Sequence, residues 1–195
     1  MTFVDAFYSF ALEISDADRS IYTSLRVKTP KHPNESLEHL AARIFAYLHS
    51  YQEGLSFSRG LFEVNEPTIW KKDCLDDILL WIQVGHLPFK KLVRALKQCG
   101  QASFRSYFYE EQQAESFIKD VKGRKINWAE KSEFYMIDFD FLTEAASLLS
   151  SSNRLETLIA DNHLYITLND IELNTYIIAL NSSQLGGCNS ASHNP

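Results

Sequence analysis

Ile78-Leu79-Leu80-Trp81-Ile82-Gln83-Val84-Gly85 is a nearly continuous apolar run closed by a glycine. Unlike an alternating pattern, such a run predicts a strand covered on both faces, and that requires layers of helix above and below it. Helices are predicted on both sides of it in the chain. Upstream, Leu37, Leu40, Ala41, Ile44, Phe45 and Leu48 recur at the 3.6-residue period of one apolar stripe. Asn34 is the expected N-cap, and Glu35 falls in the first turn, where the helix dipole favours an anion. Ala42 and Ala46 keep the opposite flank small, so this helix is expected to be covered on more than one side. Downstream, between Pro88 and Gly100, Phe89, Leu92, Val93 and Leu96 share one face, and Lys90, Arg94 and Lys97 another.

Working outward, Leu55–Leu61 reads as a short strand, followed by an acidic turn at Glu63–Pro67. Ser103–Tyr109 is an aromatic-rich strand, Glu110–Val121 a polar helix, Phe134–Ile137 a strand and Phe141–Leu149 a short helix. Further β runs lie at Leu155–Ile159, Leu164–Leu168 and Glu172–Leu180. At the other end, Phe3–Ile14 and Ile21–Val27 flank a polar Ser15-Asp16-Ala17-Asp18 and predict a hairpin. Lys28–Pro33 follows as extended chain, because each proline moves its predecessor out of the α region. The order predicts one α/β domain over 1–180. Its mixed sheet, flanked by helices, spans about 33–150, and an additional antiparallel β subdomain forms from about 2–28 and 154–180. Residues 181–195 read as a flexible tail.

Composition limits what such a domain can do. The 195 residues carry 19 Lys+Arg against 25 Asp+Glu, a net charge of −6, so no global basic field points to nucleic acid. A chain this long buries roughly 70% of its unfolded surface and needs no disulfide staples. The three cysteines, Cys74, Cys99 and Cys188, form no CxxC pair. With no basic-then-apolar leader and no apolar run near the roughly 20 residues that cross a bilayer, a cytoplasmic, non-membrane chain is expected.

Metal-dependent phosphodiester cleavage needs carboxylates converging on Mg²⁺ and a cation near the scissile phosphate. The candidates are Glu35, Glu66, Asp76, Asp77 and Gln83, with Lys90, Lys91, Arg94 and Lys97 as phosphate-binding groups. Asp77 and Gln83 share a strand face but stand about 20 Å apart, too far to share a metal. Ordinary solvated acids and a solvated helix face are the competing readings. A second basic cluster comprises Lys119, Lys122, Arg124 and Lys125. The six histidines show no metal-binding spacing, and no GxSxG, GxGxxG or Walker loop is present. Trp70, Trp81 and Trp128 read as core rather than base-stacking platforms.

Several segments together resemble the YaeQ family. His32-Pro33-Asn34-Glu35, heading a helix that ends Arg43-Ile44-Phe45-Ala46-Tyr47-Leu48, is similar to that family's HPxE helix. Leu55-Ser56-Phe57-Ser58-Arg59-Gly60-Leu61 resembles its FxRGL strand, and Glu66-Pro67-Thr68-Ile69-Trp70 its acidic-proline-tryptophan stretch. Trp81-Ile82-Gln83-Val84-Gly85 stands where the family reads WI(E/D)xG, Arg94-Ala95 where it reads KA, and Phe104-Arg105-Ser106-Tyr107 fits its next strand. The similarity runs in order over about residues 2–180. It implies a restriction-endonuclease-like core, a variant of the PD-(D/E)xK nuclease superfamily, whose site joins a first-helix Glu, two further acids and a Lys.

Glu35 fills the first of those positions; Thr68, Gln83 and Arg94 depart at the others. Two negative charges are thereby removed from a site that would hold a dication. Arg94 grips phosphate but cannot act as a base. Glu35, Glu66, Gln83 and Arg94 are thus the candidate catalytic set, with Glu35 and Gln83 as metal ligands, Glu63 as a substitute acid, and Mg²⁺ the one cofactor the resemblance admits. Three activities follow: binding nucleic acid or a partner at a degenerate metal site, Mg²⁺-dependent cleavage at a rearranged one, or protein interaction alone.

Overall fold

A computed structural model of the chain describes residues 6–59, 63, 65–99, 102–122, 124 and 132–180. The tail 181–195, residues 2–5 of the expected hairpin, Gly60, Leu61, Lys125 and Trp128 lie outside them. In chain order the elements are Ala6–Asp16 (β1), Ile21–Lys31 (β2), Leu37–His49 (α1), Leu55–Phe57 (β3), Ile69–Lys72 (β4), Ile78–Val84 (β5) and Phe89–Cys99 (α2). Then follow Ser103–Phe108 (β6), Glu111–Val121 (α3), Ser132–Ile137 (β7), Phe139–Leu148 (α4), Ser152–Ala160 (β8), His163–Leu168 (β9) and Ile171–Ala179 (β10).

The mixed α/β reading holds, but the terminal strands make no separate sheet. All ten strands form one sheet in the order β2-β1-β8-β9-β10-β7-β6-β5-β4-β3. The join is β10 on β7, through Ile177↔Ile137, Ile178↔Met136 and Ala179↔Tyr135. Nor is the terminal half purely antiparallel. β1 runs parallel to β8, from Ser9↔Ser152 to Asp16↔Ile159, because the whole core intervenes between them and serves as the long crossover a parallel pair needs. β5, β6 and β7 are the other parallel run.

Local chemistry accounts for the turns. β8–β9 and β9–β10 are joined by Asp161-Asn162 (φ 54° and 59°) and Asn169-Asp170 (φ 49° and 70°). Positive φ at both central residues suits the right-handed strand twist, and Asn and Asp tolerate it. β2 continues through Pro30 to Lys31, beyond the expected end at Val27, and it can do so because it is an edge strand whose missing N–H faces no partner. The cap of α1 is Ser36 rather than Asn34: its hydroxyl accepts the His39 N–H at 3.1 Å.

As the apolar run predicted, β5 is covered on both sides. Leu80, Ile82 and Val84 join a core with α1, α4 and residues of β1, β8, β9 and β10. Since both halves of the sheet pack on the same two helices, the sheet curls round them, and Phe45 meets Phe141 with ring centroids 4.8 Å apart. Trp81 points the other way, into a second core with Leu92 and Ala95 of α2 and Phe117 and Val121 of α3. This alternation decides which candidate residues can meet.

Candidate functional site

The head of α1 lies against the C-terminal end of β5. Capping by Ser36 places Glu35 one residue ahead of the helix, and its carboxylate folds back along the first two turns to Arg43. Arg43 Nη1 donates to Glu35 Oε1 at 2.9 Å and to Oε2 at 3.1 Å. The His32 N–H adds a third hydrogen bond to Oε2 at 3.1 Å. Arg43 also donates to the Pro30 carbonyl at 3.2 Å and to the Thr29 hydroxyl, and lies over the Phe57 ring at 5.4 Å. The Glu35 side chain is 0% exposed and that of Arg43 only 4%. A buried carboxylate held this way has its charge offset by the guanidinium. Little is left to attract a dication.

His39 stands one turn along, its Nε2 3.8 Å from Glu35 Oε1 and its Nδ1 3.0 Å from the Tyr109 hydroxyl. Its ring lies against Gly85, which has φ +79°; a Cβ there would come within 3.3 Å of His39 Cε1 and 3.4 Å of Tyr109 Cε1. The glycine that closes the apolar run therefore serves both the backbone turn and the approach of the imidazole. Burial drives the His39 pKa down to about 4, with the charges of Arg43 and Lys91 adding to it and that of Glu35 opposing. The ring is neutral at pH 7. Burial also lowers the Lys91 pKa and raises that of Tyr109.

The candidate metal ligands have different partners. By strand alternation Gln83 shares the β5 face of Trp81, while Glu35 is held by Arg43 of α1. The Gln83 amide donates to the Val84 carbonyl at 3.1 Å; among the described residues its Oε1 is buried without a partner, as is Oγ of Ser106, its register neighbour on β6. Thr68 is a backbone clip: its hydroxyl accepts the Val84 N–H at 3.1 Å. Glu66 and Glu63 both reach Arg59, at 3.2 Å and 3.4 Å. Among the described residues, no group of three or more His, Cys, Asp or Glu could hold a metal ion.

The cations are arranged differently. Lys90, Arg94 and Lys97 recur along the outward face of α2 and are exposed, while Lys91 turns inward. The helix contains no acid. Arg94 hydrogen-bonds Asn65, a neutral partner that leaves its charge uncompensated. Arg124, from beyond α3, lies over the Phe89 ring at 4.3 Å, which sets a further cation at the N-terminal end of α2. Lys119 and Lys122 are exposed nearby in the chain.

A family model described as YaeQ protein matches residues 1–177. The chain belongs to the YaeQ family. It is 26% identical over 170 residues to YaeQ of Escherichia coli (strain K12), covering 86% of this chain and 92% of that one. Identity to YaeQ of Salmonella typhi is 26% over 161 residues, covering 82% and 87%. The crystal structure of YaeQ from Pseudomonas syringae superposes with a TM-score of 0.80 at 25% identity, over 92% of this chain and 98% of the other. That of YaeQ from Xanthomonas axonopodis pv. citri gives 0.81 at 22% identity, over 90% and 98%.

Within this YaeQ-family fold, sequence reasoning missed Arg43, His39 and Tyr109. Arg43 carried a signal: a cation between Ala42 and Ile44, in a helix predicted to be covered on several sides, must find a buried partner. The histidines match no metal motif, and nothing local joins His39 to Tyr109, 70 residues away.

Proposed function

We propose that this YaeQ-family chain carries a restriction-endonuclease-like core, a PD-(D/E)xK variant with a degenerate metal site, and that it acts by binding nucleic acid through the outer face of α2. The order α1, an antiparallel β3-β4-β5 meander, a crossover α2 and a parallel β6 supports the core reading. The observation that carries the binding function is the acid-free row Lys90, Arg94 and Lys97, joined by Arg124 over Phe89. A local row of this kind supplies phosphate contacts even on an acidic protein, because screening confines the field of distant acids to about 10 Å. The engagement of Glu35 by Arg43 argues against metal-assisted cleavage.

The test is fluorescence anisotropy with single- and double-stranded DNA and RNA, at several salt concentrations, beside a Mg²⁺ and Mn²⁺ cleavage assay. Four phosphate contacts predict that log K falls with log salt at a slope of about −3 to −4. The triple variant Lys90→Gln, Arg94→Gln, Lys97→Gln should flatten that slope and weaken binding at least tenfold. Metal-dependent cutting that Glu35→Ala abolishes would instead identify a working nuclease. Absence of binding to all four substrates would leave protein interaction as the activity.

A further inference from the structure

Where the C-terminal end of α1 meets the β1–β2 and β8–β9 turns, a cavity of about 230 Å³ opens onto β6 and β7. It lies apart from the α2 face. Its lining includes Asp16, Asp18, Arg19, His49, Arg105 and Glu133. Each acid there is already engaged. Both oxygens of Asp16 accept from Arg19, at 2.9 Å from its N–H and 2.6 Å from its Nε. Asp18 accepts the N–H groups of Asp161 and Asn162 at 2.8 Å and 3.0 Å. Glu133 Oε2 takes the Arg105 Nε at 2.5 Å, and the rest of that carboxylate sits towards solvent, its side chain 42% exposed.

Two further groups face the same space. Among the described residues, the two terminal nitrogens of Arg105 have no hydrogen-bond partner, and this side chain is 22% exposed. His49 spends Nδ1 on the Tyr107 hydroxyl at 2.7 Å, and that hydroxyl is anchored in turn by Ser50 Oγ at 2.6 Å. Among the described residues its Nε2 has no hydrogen-bond partner. In the tautomer whose Nδ1 accepts from the Tyr107 hydroxyl, the imidazole Nε2–H and the guanidinium end, positioned by the Tyr107–Ser50 pair and by Glu133, both present hydrogen-bond donors to the cavity.

We propose that this cavity binds a small oxyanion, the phosphate or carboxylate group of a small molecule, through the Arg105 guanidinium and His49 Nε2. Calorimetric titration of the full chain with inorganic phosphate, and separately with acetate, tests it and distinguishes the two headgroups. The expected result is saturable one-site binding of at least one of them, weakened tenfold or more by Arg105→Gln and left unchanged by Arg26→Gln, an exposed cation on the edge strand β2. Should Arg105→Gln not fold, the His49 ring resonances of the wild type decide: they should shift along the same saturation curve. A linear, non-saturating response, equal binding by Arg105→Gln, or unmoved His49 resonances would each mean an adventitious ion only and overturn the proposal.

Discussion

Arg43→Met tests the central electrostatic claim, that the negative charge of Glu35 belongs to Arg43. Methionine keeps most of the aliphatic stem, so packing over Phe57 changes little, while the guanidinium goes. What remains at Glu35 is the His32 N–H at 3.1 Å and the His39 Nε2 at 3.8 Å, and that ring is neutral at pH 7. The Pro30 carbonyl and the Thr29 hydroxyl lose their donor as well. Stranding a buried charge in this way costs about 3–5 kcal/mol, and the single variant should lose that much in urea unfolding at pH 7. Replacing Glu35 by Gln as well removes the stranded charge, so the double variant should recover about 2 kcal/mol relative to the sum of the single changes. A cost under about 1 kcal/mol, or single changes that add to within about 0.5 kcal/mol, would refute the pairing. It would also return Glu35 to the pool of carboxylates available to a metal.

Three further expectations follow. His39 and His49 are both held down to about 4 by burial; the unfolded chain therefore binds more protons between pH 6.5 and 4, and their stabilising contribution, complete above pH 6.5, is lost as pH falls to 4. Urea unfolding across that window should lose about 3 kcal/mol per histidine, and His49→Gln should remove its share of the slope; a flat profile from pH 6.5 to 4 contradicts the burial of both rings. Gly85→Ala should cost about 1–3 kcal/mol, since alanine at φ +79° is strained and its Cβ would press on His39; a neutral effect in thermal unfolding would show that the turn relaxes freely. Asp18→Ala should speed hydrogen exchange at the Asp161 and Asn162 amides, whose hydrogen bonds also depress the Asp18 pKa; unchanged exchange at constant pH would mean that the carboxylate does not hold that turn.

The central strand and its helices were legible in the sequence because burial on both faces leaves a local mark. The apolar run of β5 and the 3.6-residue stripe of α1 are each written within one segment. The continuity of the sheet was not legible. β10 reaches β7 by pairing three residues at its far end, and a strand's choice of neighbour adds nothing to its own periodicity. The β1–β8 parallel pair, separated by more than a hundred residues of core, is hidden for the same reason. Cap position failed on a finer scale: Asn34 and Ser36 are both good N-cap residues, and which of them serves depends on how the extended Lys31–Glu35 chain enters the helix.

That two-residue difference is what changes the reading of the site. With Asn34 as the cap, Glu35 would sit in the first helical turn, where it would be a free acid near the end of a sheet, as a metal ligand must be. With Ser36 as the cap, Glu35 precedes the helix and its side chain runs back to Arg43, eight residues on. The same carboxylate is a ligand in the first geometry and a counter-ion in the second. Residue type and position alone could not separate them, since both readings require an acid there. Arg43 does separate them. Its stretch of α1 is buried from Leu40 to Leu48, and an arginine persists in such surroundings only with an acid beside it. The acid available is Glu35. Counting carboxylates around a proposed metal site therefore has to begin with the buried cations, because each of them removes one carboxylate from the count.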